Sequence, residues 1–561
     1  MSFLYLLQSA WSFSDLFDAR DATIDSVHNA VFARGITCRE IVSSFLARIE
    51  ELNPIINAII SLNPNALTDA DDLDDWVASG NLNATGTPLF CVPVLLKDNF
   101  DAAGINTTAG CLALAGNRAL ADAPTVEVLK EAGAVILGKT NLHEMALEGL
   151  TASSFGGQTV NPYDLIRTPG GSSGGSGAAV AAGFAVLATG TDTVNSLRNP
   201  ASANALFSIR PTRGLISRRG VVPVGSTQDA VGVMARDVRD LAVGLSVMAN
   251  VPGDDDVREN VRAGGVLAHP GAVRHRDYTT FLTGGCSLKG VRFGLVKGFF
   301  NHSSKVPPDS ETTPVNDIMS RMVSTLTAAG AVVVNITEPV YDALAIAATL
   351  DVQAFEFREA LNAYLAEHRT DNETHETPGS FETLYSRRNT TDFLVIPAQS
   401  EFIRRAWHSS TSDPAYATRL SGIRNLTQTL AATFATHNLD ALIYPQQKNL
   451  VVKVGAPSQH GRNGILAALT GYPSLCMPAG FSPPSADAPR GVPVGMEILG
   501  RPWSEGLLLS IASRIAELGV RRRRRMPAFA DRFVEPKCYD AVPVITPNSG
   551  NLPGEYPLGI F

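Results

Sequence analysis

The sequence predicts an α/β protein: a central, mostly parallel or mixed, twisted β-sheet covered by helices on both faces. Two observations carry this reading. Short apolar runs alternate with segments of helical spacing in the order β, α, β, the pattern of a sheet with covered faces. The chain is also large enough, with 561 residues of which 45% are hydrophobic and only 18% charged. Such a composition buries a large core and excludes a disordered chain, a fibre or a small disulfide scaffold.

The elements follow in order. Phe3-Leu4-Tyr5-Leu6-Leu7 is an apolar run with no basic flank, shorter than the ~7–15 residues of a secretory core. Residues 1–14 are therefore read as an N-terminal leader with a weak signal character. Residues 21–52 predict two helices, the second opened by a Thr37/Glu40 capping box and carried by Ile41, Phe45, Leu46 and Ile49. The acidic run Asp69–Asp75 lacks the ligand and glycine positions of a calcium loop, with Leu73 in a ligand position, and reads as a solvated helix face.

Pro93–Leu96 predicts a strand ending at Lys97-Asp98-Asn99, Thr125–Ala132 a helix, and Ala134–Leu137 a strand. Gly133–Thr140 fits the phosphate-loop spacing GxxxxGK[ST]. Its four variable residues are Ala, Val, Ile and Leu, so it reads as a buried strand and not a phosphate cradle. Near 253–314 the composition shifts to Gly, Arg, Asp and Pro, a surface excursion holding one strand, Val291–Val296. The helix Leu507–Leu518 precedes five arginines, Arg521–Arg525, read as cations favourable at a helix C-terminus. One domain thus spans 15–525, followed by a Pro-rich tail, 526–561.

A net charge of −8 argues against nucleic acid as a partner. No stretch of about 18 apolar residues offers a membrane span. The six cysteines never pair as CxxC and the ten histidines form no HExxH, so no metal or other cofactor is indicated. Seven Asn-x-Ser/Thr sequons begin at Asn83, Asn106, Asn301, Asn335, Asn372, Asn389 and Asn425, which leaves secretion open beside the cytoplasm.

The chemistry-bearing stretch is Pro169-Gly170-Gly171-Ser172-Ser173-Gly174-Gly175-Ser176-Gly177, which runs directly into the small-residue helix Ala178–Gly183. A linker would not lead at once into a tightly packing helix, so this is a candidate binding loop with exposed backbone N–H groups. It does not match GxGxxG, and no GxSxG elbow exists. Gly190-Thr191-Asp192-Thr193-Val194-Asn195-Ser196-Leu197-Arg198-Asn199-Pro200-Ala201 then forms a second polar turn between apolar segments.

Together with Lys97, these segments resemble the amidase signature family, whose pattern is GGSSGGS followed by GTDxGGSxRxPA, with a Lys-Asp upstream after a short strand. The resemblance extends to Gly138–Asn141 with Glu144, Arg210–Gly214, Gln228-Asp229 with Gly232, Gly471-Tyr472-Pro473, Pro478-Ala479-Gly480 and Gly495-Met496-Glu497, covering roughly residues 20–525. It implies a Lys–cis-Ser–Ser triad with Ser196 as nucleophile. Ser172 is then the bridging serine, preceded by a cis peptide bond, and Lys97 is the base. It further implies an oxyanion hole from the backbone N–H groups of Thr193, Val194, Asn195 and Ser196, with Ser173, Asp192 and Arg198 in support.

The residue types suit the task. A serine needs a neighbour to take its proton. A lysine, with a free pKa of ~10.4, does so only when burial discharges it, and Val94, Leu95 and Leu96 would supply that burial. The family's Gly-Gly is here Val194-Asn195. An Asn at 195 tolerates left-handed backbone, and Val194 requires a negative φ.

The expected activity is hydrolysis of a small-molecule or peptide amide through an acyl-enzyme. The alternatives are the amidase subunit of a glutamine-dependent amidotransferase and a non-catalytic scaffold of the same fold. A homodimer stays open. Glu144–Thr151, Val352–Tyr364 and Tyr444–Val454 are expected to line the pocket.

Overall fold

The computed structural model describes residues 17–80, 86–251, 277–282, 287–301, 309–367, 378–386, 397–520 and 526–554. The expected leader 1–14, the Arg521–Arg525 run, the sequons at Asn83, Asn372 and Asn389, and residues 252–276, 283–286 and 302–308 of the excursion lie outside them.

Numbered in chain order, the strands are β1 (Ile59–Leu62), β2 (Pro93–Lys97), β3 (Val135–Thr140), β4 (Ala152–Ser153), β5 (Gly157–Gln158), β6 (Leu187–Asp192), β7 (Phe207–Arg210), β8 (Ala230–Ala235), β9 (Arg292–Val296), β10 (Val332–Ile336), β11 (Ala441–Pro445), β12 (Ser474–Phe481) and β13 (Pro493–Leu499). All but the small β4–β5 pair form one eleven-stranded sheet, ordered β1-β3-β2-β6-β8-β7-β12-β13-β11-β9-β10. The sheet is mixed. Parallel pairs occur in two blocks, β3-β2-β6 and β11-β9-β10, and the strands between them pair antiparallel. Helices cover both faces, which is why β2, β3, β6 and β8 are buried along their whole length.

The two predicted N-terminal helices are Ile24–Arg34 and Cys38–Ile56, and both carry capping boxes. The acidic segment is helical over Ala66–Ala78, but Asp74 is not simply solvated: its carboxylate accepts from Cys38 N (2.6 Å) and Arg39 N (3.0 Å), capping the preceding helix. The phosphate-loop look-alike is β3, with Lys139 fully buried.

One boundary differs in an informative way. The helix after the Gly/Ser run starts at Gly174 rather than Ala178, so half of the expected loop is helical. Packing explains it: a Cβ on Gly175 would stand 2.2 Å from the Asn141 carbonyl oxygen. This glycine serves close approach between backbones, not flexibility.

The residues after 526 run over the first helices. Arg48 donates to Ala530 O (2.9 Å) and Arg39 to Tyr539 O (2.7 Å), and Lys537 pairs with Glu50 at 2.6 Å.

Candidate active site

β2 and β6 are adjacent and parallel, with Leu95 opposite Ala188, so their C-terminal ends open on the same side. That places Lys97 beside Thr191. Side chains two apart on β6 share a face: the Thr189 hydroxyl accepts from Lys97 N (3.0 Å), and the Thr191 hydroxyl accepts from Lys97 Nζ (2.7 Å). The second partner of Nζ is Ser172 Oγ, also at 2.7 Å. The Gly171–Ser172 peptide bond is cis.

Ser172 lies just before the helix Gly174–Ala181, and its carbonyl accepts from His143 N (3.0 Å). Ser173 joins this loop to the turn that follows β6. Its N–H donates to Ser196 O (3.1 Å), its hydroxyl donates to Thr191 O (3.2 Å), and that hydroxyl accepts from Thr191 N (3.3 Å). Lys97, Ser172, Ser173 and Ser196 thus stand in one hydrogen-bonded neighbourhood.

No carboxylate hydrogen-bonds Lys97 Nζ among the described residues. Burial lowers this amine to about 7, with Asp192 and Asp229 opposing at longer range. The imidazole of His143 is likewise pushed down by burial, to about 4.

The turn Thr193–Ser196 is held by charge. Asp192 is fully buried, and although burial disfavours its anion, Arg198 and Arg210 hold it down at about 2. Arg198 Nε reaches Asp192 Oδ2 at 3.0 Å and Arg210 Nη1 reaches Oδ1 at 2.9 Å. Arg198 also pairs with Glu497 (2.5 Å) and donates to Val194 O (2.6 Å). Glu497 Oε2 accepts further from Ser474 Oγ (2.8 Å) and Tyr444 Oη (3.0 Å). The Thr193 hydroxyl donates to Asp229 (2.7 Å), and Gln228 bridges Thr193 O to Val352 N. Neither Val194 nor Asn195 has a positive φ, so the left-handed tolerance of Asn195 goes unused. The Asn195 side chain is fully buried and neither of its amide atoms finds a protein partner.

Two groups escape sequence reasoning. Thr191 is visible there only as a motif letter, although its i, i+2 relation to Thr189 on the strand beside Lys97 is an available signal. Asn199 leaves no signal. Its Oδ1 accepts from Gly171 N (3.1 Å) while its Nδ2 donates to Gln446 (2.9 Å) and Gln447 (2.8 Å), far along the chain. Of the segments expected to line a pocket, Val352–Tyr364 supplies Ala360 and Tyr364 to a cavity of about 260 Å³ that also meets Thr191 and Thr193.

The Amidase family profile matches residues 40–509. The chain belongs to the amidase signature family. Among curated members, a glutamyl-tRNA(Gln) amidotransferase subunit from Alkalilimnicola ehrlichii is 31% identical over 513 residues, covering 89% of this chain and 97% of that protein. Its counterpart in Pseudomonas fluorescens is 33% identical over 499 residues, covering 86% and 95%. Among solved family structures, native peptide amidase from Stenotrophomonas maltophilia superposes with a TM-score of 0.75 at 33% identity, covering 91% of this chain and 98% of that one. Amidase signature enzymes act on amide bonds, and the eleven-stranded mixed sheet is this family's fold.

Proposed function

We propose that this chain is a serine amidohydrolase that cleaves a small-molecule or peptide amide to acid plus ammonia or amine. The observation that carries the reading is Lys97: fully buried, lowered to about 7, and hydrogen-bonded by two hydroxyls, one of them on Ser172. A neutral amine there accepts a proton from Ser172 as Ser172 takes one from Ser196. Ser196 Oγ attacks the carbonyl carbon, and the oxyanion receives hydrogen bonds from backbone N–H groups of Thr193 to Ser196. Each well-placed donor is worth ~2.7–4 kcal/mol in the transition state.

The proton returns through Ser172 to the leaving nitrogen and the C–N bond breaks, leaving an ester on Ser196. Water then attacks that ester with Lys97 and Ser172 again as base, releasing acid. Ser173, Asp192 and Arg198 are positioning residues in this scheme. It draws on no cofactor. The peptide amidase likeness supports peptide amides as a substrate class.

The test is intact-mass detection of a fluorophosphonate adduct on wild type and Ser196→Ala. One adduct on wild type and none on the variant is expected. Absence of an adduct on folded wild type overturns the reading.

A second reading, the glutaminase-type subunit of an amidotransferase, is favoured by the names of the curated relatives. Hydrolysis of simple amides by the chain alone, with glutamine a poor substrate, separates the two.

A further inference from the structure

Cys38 opens the helix Cys38–Ile56 and Cys91 lies in the turn before β2, 53 residues later. Their Cα atoms stand 5.5 Å apart, the two sulfurs form a disulfide, and both side chains are fully buried in the main core. The bond ties the first long helix to the strand that carries Lys97. Structural disulfides form and persist in oxidising compartments and are rare where glutathione keeps thiols reduced.

A separate observation points the same way. Twelve asparagines are buried among the described residues, and none of them begins a sequon. Of the four sequon asparagines among the described residues, Asn106, Asn335 and Asn425 are exposed and Asn301 is half-buried. Asn106 lies in a loop, where its Nδ2 donates to Ala115 O at 2.8 Å; a glycosylated amide nitrogen keeps one N–H for that bond. Asn425 projects from the helix Pro414–Thr436. Asn335 sits on β10, the last strand of the sheet, whose only neighbour among the described residues is β9. The sequence there, Val332-Val333-Val334-Asn335-Ile336, is an apolar edge with Val332 42% exposed, the kind of strand that recruits other chains unless something obstructs it.

We propose that this chain matures in an oxidising secretory compartment, with a structural Cys38–Cys91 disulfide and N-linked glycans on Asn106, Asn335 and Asn425, the glycan on Asn335 guarding the open sheet edge. In forming the disulfide, two thiols give up two protons and two electrons to a disulfide-bearing oxidant, which is reduced to its dithiol. In forming each glycan, the amide nitrogen displaces a polyprenyl diphosphate from the anomeric carbon of its oligosaccharide and loses one proton. A chain made in that compartment works apart from aminoacyl-tRNA, which separates it from the amidotransferase reading.

The test is peptide mapping of the protein purified from the organism that encodes it. Enzymatic deglycosylation in ¹⁸O water marks occupied asparagines, and alkylation before and after reduction reports the cysteines. Heavy-oxygen aspartate at positions 106, 335 and 425, with Cys38 and Cys91 alkylated only after reduction, is expected. Unmodified asparagines at all three positions, or Cys38 and Cys91 alkylated without reduction, overturns the proposal. Recombinant protein gives an independent reading. Chain made in a reducing cytosol should melt a few degrees lower than the same chain after oxidation by a glutathione disulfide buffer, and equal melting temperatures would show the bond is not structural. Thr337→Ala, which abolishes only the Asn335 sequon, should increase aggregation of secreted protein, and unchanged aggregation removes the edge-guarding role.

Discussion

Lys97 and Lys139 are both fully buried, on the adjacent strands β2 and β3, with Lys139 opposite Leu96. Their surroundings differ in kind. Lys139 Nζ donates to the carbonyls of Phe100 (2.6 Å) and Asn106 (3.2 Å) and to Thr107 Oγ1 (3.1 Å), with Asp98 at 3.7 Å. Two of these are pure acceptors, and three acceptors suit the three N–H groups of an ammonium. Lys97 meets two hydroxyls, which can donate as readily as accept and so satisfy a neutral amine with its lone pair. Burial pulls both lysines down, but only Lys139 has a carboxylate directly opposing it. Burial alone therefore does not make a base; the chemistry of the partners decides.

The comparison breaks most readily by substitution. Lys97→Met should cut turnover roughly 10³-fold or more while the protein stays folded. Lys139→Met should leave Asp98 as an unpaired buried carboxylate and cost about 3–5 kcal/mol in a denaturant melt. If the two variants exchanged these phenotypes, the roles assigned to the lysines would be reversed.

Thr191→Val should lower turnover about tenfold, the equivalent of one charge-assisted hydrogen bond. It should also move the acid limb of the pH profile to lower pH, because the ammonium loses an acceptor it needs more than the amine does. An unmoved limb would mean that Thr191 does not tune Lys97.

The wild-type profile sharpens the same point. With neutral Lys97 as the proposed base, kcat/KM should fall tenfold per pH unit below about 7. A flat profile down to pH 5 would remove Lys97 as the base.

The smallest effect is on stability. A lysine whose folded pKa lies below its unfolded value of ~10.4 binds fewer protons folded than unfolded between the two values, so its cost is full below about 7 and fades as pH rises. Lys97→Met should thus raise the melting temperature at pH 6, with the gain shrinking toward pH 10.

Much of this is legible in the residues. The strand before Lys97, the β3 identity of the phosphate-loop look-alike and the two N-terminal helices follow from apolar runs and capping boxes, which are local. The resemblance to the amidase signature motifs singles out Lys97, Ser172, Ser196, Asp192 and Arg198. The contacts that complete their surroundings are not legible, because they join distant parts of the chain. Asn199 meets Gln446 and Gln447, Asp192 meets Arg210, and Cys38 meets Cys91, and none of these pairings leaves a periodic trace. The antiparallel middle of the sheet is hidden for the same reason, since strand composition reports burial but not the direction of the neighbour. The early start of the Gly174 helix is hidden because glycine suggests freedom, whereas here it is used for its small size.

The pairing of Arg198 with Glu497 has a consequence for biosynthesis. Lys97, Ser172 and Ser196 all leave the ribosome long before residue 497, yet the turn bearing Ser196 is anchored through an arginine whose second counter-charge arrives 299 residues later. A nascent or prematurely terminated chain ending short of β13 holds Lys97, Ser172 and Ser196 and still lacks the ion pair that completes the scaffold of the Ser196 turn. Completion of that scaffold is thereby deferred until β13 has been made.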